Sequence, residues 1–183
     1  MLRIIAGSAR GRRIEAPEGR DTRPTLDRVR ENIFNMIQNR VPGARVLDLF
    51  AGSGALSLEA LSRGAAFAVL ADRDREALRI EEKNIAALGF EDRARRMAGD
   101  WRRTIQTLRA EGERFDLIFL DPPYAMTDLR EMTEELRALL AEDGMIVLER
   151  QAKASPAVAE GYALIRERTW GYCGVSLYQW QDA

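Results

Sequence analysis

Asp121, Pro122, Pro123 and Tyr124 follow directly on Phe115 to Leu120, an apolar run of strand type. Proline cannot continue a sheet ladder, so the strand must stop there, leaving the acid and the ring at its C-terminal tip. In open α/β sheets that edge is where ligands bind. A carboxylate, a fixed carbonyl on Pro122 and a flat ring suit a planar substrate bearing an amino group. The oxygens accept hydrogen bonds from the amine, and the Tyr124 ring stacks on the base. The plainer alternative is a strand-ending turn that happens to expose an Asp and a Tyr.

A second group of residues lies upstream. Val46-Leu47-Asp48-Leu49-Phe50-Ala51-Gly52-Ser53-Gly54 reads as a buried strand running into a Gly-rich turn, and a helical pattern follows from Ala55 to Arg63, with Gly64 as its stop. Strand, Gly-x-Gly turn and helix form the entry to a dinucleotide-type fold. The pyrophosphate fingerprint would need a third glycine at position 57, where Ser57 stands. Asp48 inside the strand end would repel a phosphate but could hold an ammonium group. A cofactor with an amino-acid tail and no phosphate therefore fits better than NAD, and S-adenosylmethionine is such a cofactor. Asp72, about twenty residues after the turn, stands where an acid meets ribose hydroxyls in this architecture. It could instead cap the next helix, although Asp74 is available for that.

Strands and helices alternate around these residues. Strands are expected at Val46–Phe50, Phe67–Ala71, Ala94–Ala98, Phe115–Leu120 and Met145–Glu149. Helices are expected at Ala55–Arg63, Arg75–Leu88, Trp101–Ala110 and Asp128–Ala141, with a short one at Pro156–Glu160. Ala163–Thr169 and Gly174–Gln179 predict an antiparallel pair around Gly171. Repeated β-α units imply a Rossmann-like α/β fold, a mostly parallel sheet with helices on both faces. Ahead of it, Arg3–Gly7 and Arg12–Ala16 read as a β-hairpin, and a helix capped by Thr25 runs to about Asn39 with Leu26, Val29, Ile33 and Ile37 as its apolar stripe. We expect one domain over residues 1–183, with 1–40 as an appendage to a core at 44–183.

Composition removes several chemistries. The 183 residues include no histidine and one cysteine, Cys173. Ser-His-Asp and Cys-His machinery, the usual zinc sites and an internal disulfide are thereby excluded, so no metal is expected. No apolar run approaches the ~20 residues of a membrane helix, and the N-terminus lacks a signal-peptide pattern, so a cytoplasmic protein without membrane contact is expected. The charge is uneven: residues 1–40 carry nine arginines against five carboxylates, while the whole chain is at −1. A basic arm on an acidic body suggests a localised phosphate contact, through Arg10, Arg12 and Arg13 at the hairpin and Arg23, Arg28 and Arg30 beyond it. Chance patchiness is the alternative, and Arg23, Arg28 or Arg30 could equally pair with Asp27 or Glu31.

The opening Arg3-Ile4-Ile5-Ala6-Gly7, the segment Thr22 to Glu31 with its Arg23-Pro24-Thr25, the stretch Leu47 to Leu56 and Asp121 to Tyr124, in this order, resemble the bacterial 16S ribosomal RNA guanine-N2 methyltransferase family of class I S-adenosylmethionine-dependent enzymes. The resemblance covers nearly the whole chain. It implies that Asp48, Phe50, Gly52, Ser53, Gly54, Asp72 and Asp100 hold S-adenosylmethionine, with Asp100 accepting from the adenine amine, although Asp100 could also cap a helix. It implies that Asp121, Pro122 and Tyr124 receive the target amine, and that the Arg-Pro-Thr segment closes over the site. The implied partner is 16S ribosomal RNA or the small ribosomal subunit. Nothing in the sequence suggests an obligate protein interface, so a monomer is expected. Rival readings are an adenine-N6 DNA methyltransferase, which shares Asp-Pro-Pro-Tyr, a catalytically silent RNA-binding protein of the same fold, and, weakest, a NAD-dependent oxidoreductase.

Overall fold

The computed structural model describes residues 2–17 and 24–181. Seven strands form one sheet in the order β5-β4-β3-β6-β7-β9-β8, and a separate two-stranded ribbon pairs β1 (Leu2–Arg3) with β2 (Arg13–Ile14). β3 (Arg45–Asp48), β4 (Phe67–Asp72), β5 (Ala94–Ala98), β6 (Phe115–Leu120) and β7 (Leu140–Gln151) run parallel. β9 (Cys173–Trp180) lies antiparallel between β7 and β8 (Tyr162–Trp170). The sheet is thus the expected α/β architecture with its antiparallel C-terminal pair. The chain steps from β3 to β4 on one side and returns to β6 on the other. The C-terminal ends of β3 and β6 therefore flank a topological switch point, where an open α/β sheet leaves a crevice.

Side-chain alternation sorts the strands onto two helical layers. Val46, Leu70, Phe119 and Val147 join the buried cluster that contains residues of α1 (Pro24–Ile37), α2 (Ala55–Ser62) and α3 (Arg75–Leu88). Leu47, Val69, Ile118 and Ile146 join the cluster on the other face, beneath α4 (Trp101–Ala110) and α5 (Arg130–Arg137). α3 starts and stops as its sequence dictates. The Asp74 side chain accepts the Glu76 N–H at 2.8 Å, and Gly89 ends the helix in the left-handed conformation.

Three expectations need correction. α1 begins at Pro24 instead of being capped by Thr25; proline suits the first turn because its missing N–H has no intrahelical partner there. α5 ends at Arg137 and β7 begins at Leu140, because Leu139 gives its carbonyl to the Phe115 N–H at 2.8 Å and so joins the sheet. Pro156–Glu160 is not a helix. Its backbone bonds go sideways: Ala157 N–H to Thr127 O at 3.0 Å, Leu129 N–H to Ala157 O at 2.7 Å, and Ala159 N–H to Thr133 Oγ1 at 2.8 Å. Smaller differences are at element ends: β3 stops at Asp48 rather than Phe50, and the N-terminal ribbon is shorter than the hairpin expected.

That ribbon is stitched onto α2. Glu59, fully buried, accepts the N–H groups of Ile5 at 2.8 Å and Ala6 at 3.0 Å and pairs with Arg63 Nε at 2.7 Å. Gly7 is a glycine of necessity. It has φ +83°, and a Cβ there would stand 1.8 Å from the Ser62 carbonyl oxygen.

Candidate functional site

Asp48 ends β3 and is buried. Its Oδ2 accepts the Ser57 hydroxyl at 3.1 Å, while its Oδ1 has no hydrogen-bond partner among the described residues. Ser57 is the residue that breaks the pyrophosphate fingerprint, and in the fold it holds the acid in place. Burial pushes the Asp48 carboxyl up to about 7 against the pull of the Ser57 bond, and nearby Asp121 and Asp72 raise it further. A buried carboxylate with an open lone pair fits a cation.

The turn after β3 is shaped for close approach. Gly54 has φ +76°, and a Cβ on it would come within 2.7 Å of the Leu70 side chain. The Gly52 N–H donates to Asp72 Oδ2 at 2.9 Å, and the other Asp72 oxygen accepts the Asp74 N–H at 2.9 Å. Asp72 therefore ties the Gly-rich turn to the end of β4, while Asp74 does the capping of α3. Asp100 caps α4 by accepting the Arg103 N–H at 2.9 Å, and Gly99 N–H meets the Asp72 carbonyl at 3.0 Å. The acids of the second and third strand ends are thus linked through backbone to the turn.

A cavity of about 130 Å³ brings Asp48, Phe50 and Ser53 together with Asp121, and adds Arg30 and Glu149 to its lining. Pro122 and Tyr124 border a smaller neighbouring groove that also reaches Glu149. Tyr124 is half exposed, which leaves its ring face available to a base. Partial burial, with Glu149 and Asp121 close by, pushes its hydroxyl up to about 12, so it stays protonated.

The arginines divide. Arg10, Arg13 and Arg28 are exposed. Arg12 donates from its two terminal nitrogens to the Leu88 and Ala87 carbonyls, closing the C-terminus of α3. Arg30 is buried. It pairs with Asp27 at 3.0 Å, donates to the Arg3 carbonyl, and has Nε 3.7 Å from Glu59. Of the two partners weighed from sequence it takes Asp27, together with Glu59, which sequence did not suggest. It therefore serves the cavity wall and is not placed for a surface phosphate. Arg23 lies outside the described residues.

Sequence reasoning missed Glu149, Glu59 and Glu81. Glu81, on the inner face of α3, is fully buried with both oxygens unpartnered among the described residues. Burial pushes it from 4.5 to about 8, with Asp48 and Asp72 adding to the rise and Arg96 opposing it. No signal in the sequence could have found it, since a helical pattern with charges on both sides reads as a solvated face. Glu149 did carry a signal: it is the acid that ends the strand expected at Met145–Glu149, although β7 itself continues to Gln151.

Comparison with known proteins agrees with this architecture. The family described as Conserved hypothetical protein 95 matches residues 2–179. The chain is 38% identical over 181 residues to YlbH of Bacillus subtilis, covering 97% of this chain and 98% of that one. It is 37% identical over 185 residues to ribosomal RNA small subunit methyltransferase D of Escherichia coli K12, covering 97% and 89%. Among solved structures, Escherichia coli yhhF superposes with a TM-score of 0.83 at 37% identity, over 100% of this chain and 99% of that one. The structure of SMU.776 in complex with SAH, at 16% identity and a TM-score of 0.68 over 82% of this chain and 48% of that one, shares the fold alone.

Proposed function

Because the chain belongs to the family described as Conserved hypothetical protein 95, whose fold is the Rossmann-like methyltransferase fold, we propose that it methylates the N2 amine of a guanine in 16S ribosomal RNA. The cofactor is S-adenosylmethionine. The relatives named ribosomal RNA small subunit methyltransferase D support the choice of substrate. The observation that carries the chemistry is the meeting of Asp48 and Asp121 across the switch point, on the wall of one cavity.

When bound, S-adenosylmethionine supplies a methyl group on a sulfonium centre. Asp48 would hold the cofactor's ammonium group with its open oxygen, and beside that positive charge its raised carboxyl would favour the ionised form. Asp72, which keeps the Gly52 turn in position, would hold the ribose, and Asp100, which caps α4, would accept from the adenine amine. Phe50 and Ser53 line the same cavity, and Gly54 keeps the turn beside it in its left-handed conformation.

On the substrate side, the guanine N2 lone pair is delocalised into the ring and attacks poorly. Asp121 and the Pro122 carbonyl accept the two amine hydrogens and turn the lone pair out of conjugation. Tyr124 stacks on the base, which is worth about 1–3 kcal/mol. Positioning of this kind can supply several of the ~7–11 kcal/mol available from proximity. The proton released on methylation goes to Asp121 or to water. The enzyme works as a single domain in the cytoplasm. Among the described residues no helix is long and apolar enough to cross a membrane.

Nucleoside mass spectrometry of 16S ribosomal RNA from cells with and without the protein tests this reading. N2-methylguanosine should drop by one residue per RNA in the deletion and return on complementation. An unchanged N2-methylguanosine level, or loss of N6-methyladenosine instead, would refute it.

A further inference from the structure

An exocyclic amine alone does not distinguish guanine from adenine, since both bases carry one beside a ring nitrogen. Asp121 and the Pro122 carbonyl would accept from either. What differs is the neighbour: beside its N2 amine guanine has the donor N1–H, whereas beside its N6 amine adenine has the acceptor N1. A site that selects guanine needs a second fixed acceptor next to the one that holds the amine.

Glu149 stands at that place. β6 and β7 pair in parallel with Leu120 opposite Leu148, so Asp121, just past the end of β6, and Glu149 of β7 each follow the last paired residues. Neighbouring strands lie about 4.7–4.9 Å apart, so carboxylates at these two positions can both reach the edge of one planar group lying between them. Glu149 lines the cavity that holds Asp121 and also borders the groove of Pro122 and Tyr124, so it joins the two halves of the substrate site. Its carboxylate is anchored from behind by β9: the Cys173 thiol donates to Oε1 at 3.3 Å. That thiol is buried, and burial together with Glu149 itself pushes its pKa well up, so it stays protonated and able to donate to Oε1.

We infer that Glu149 is a specificity-determining residue that accepts the N1–H of the target guanine while Asp121 holds its N2 amine. The inference rests on the guanine-N2 reading above. An ionised carboxylate only accepts hydrogen bonds, so adenine N1 in the same place would face it lone pair to lone pair. The base would then leave a desolvated charge without a partner.

The test uses 2-aminopurine, which keeps the N2 amine but has an acceptor at N1. The substrate is the small-subunit RNA carrying guanine or 2-aminopurine at the position that mass spectrometry identifies as methylated, and single-turnover rates are compared. Wild type should prefer guanine on the order of 10- to 100-fold, the worth of a hydrogen bond to a charged group. Glu149→Gln should narrow that preference to a few-fold, because an amide can accept from N1–H or donate to N1. Calorimetric affinity for S-adenosylmethionine should not change. A wild-type preference below about threefold overturns the inference without any variant. So does a Glu149→Gln protein, folded by circular dichroism, that keeps the full wild-type preference. If wild type makes no N2-methylguanosine at all, the guanine-N2 reading itself falls, and the inference falls with it.

Discussion

The carboxylate of Glu59 receives the backbone N–H of Ile5 at 2.8 Å, joining the middle of α2 to a segment 54 residues earlier. The same buried carboxylate receives the Ala6 N–H and pairs with Arg63, with Arg30 Nε at 3.7 Å. One acid thus satisfies the ribbon's backbone and faces two cations. Arg30 lines the cavity beside Asp48, so the clamp also sets the cavity's outer wall.

Glu59→Leu should therefore be severe. It leaves two backbone donors and the Arg63 guanidinium without their partner in a buried setting, and leaves Arg30 to Asp27 and the Arg3 carbonyl. Breaking a buried pair by removing one side costs roughly 3–5 kcal/mol. Urea unfolding should show a fall of that size, and limited proteolysis should cut first near Gly7. A variant within 0.5 kcal/mol of wild type, the usual spread for surface changes, would mean that the clamp is incidental.

Asp121→Ala should separate chemistry from cofactor binding. Asp121 sits across the switch point from the Gly-rich turn, so calorimetric affinity for S-adenosylmethionine should stay within a few-fold. Single-turnover methylation should fall by at least about 100-fold, the scale of losing substrate orientation. Near-normal turnover would remove Asp121 from the mechanism.

Where the chain encodes its structure locally, the sequence is legible. α3, β5, α4 and β6 have the bounds expected of them because each is fixed by its own periodicity and punctuation: Asp74 and Gly89 around α3, Asp100 before α4, Pro122 after β6. Legibility ends where distant backbone decides. Leu139 and Leu140 enter the sheet because Phe115 needs a partner, and Pro156 to Glu160 runs extended because residues 127–133 offer donors and acceptors across a gap. Buried charge is the other blind spot. Glu59, Glu81 and Arg30 sit among charged neighbours in sequence, and only the fold turns them inward. In the site, the tip residues Asp48, Asp72 and Asp121 could be located from strand ends, but the engagement of both Asp72 oxygens with backbone could not.

Glu81 predicts a pH-dependent stability. Its folded value, about 8, lies above its ordinary 4.5. The folded state therefore keeps a proton that the unfolded state has already released, and stability falls as pH rises from about 4.5 toward about 8. Glu81→Met fills a similar volume without the carboxyl. It should raise the melting temperature clearly at pH 8 and little at pH 5, with a gain of about 1–4 kcal/mol at the higher pH. A melting-temperature gain that is the same at both values would show that Glu81 does not titrate in the folded state.

The N-terminal arginines give the last test, and the structure changes what to expect of them. Phosphate contacts release counterions, with a slope near −0.7 to −0.9 in log affinity against log salt for each contact. Arg10, Arg12 and Arg13 are all exposed, but Arg12 donates to the Leu88 and Ala87 carbonyls at the end of α3. If the arm binds RNA, Arg10→Ala with Arg13→Ala should flatten the salt dependence by about 1.4–1.8 units, and Arg12→Ala should leave the slope nearly unchanged. Arg12→Ala should act on stability instead, costing about 0.5–2 kcal/mol through two lost carbonyl bonds and the loss of a cation at a helix C-terminus. Fluorescence anisotropy with a 16S ribosomal RNA fragment across a salt series reads the slope, and urea unfolding reads the stability. Methylation by the double variant should recover partly at high RNA concentration, because only substrate binding is weakened. An unchanged slope in the double variant would make the arm a structural appendage and shift the search for RNA contacts to Arg28 and the segment that carries Arg23.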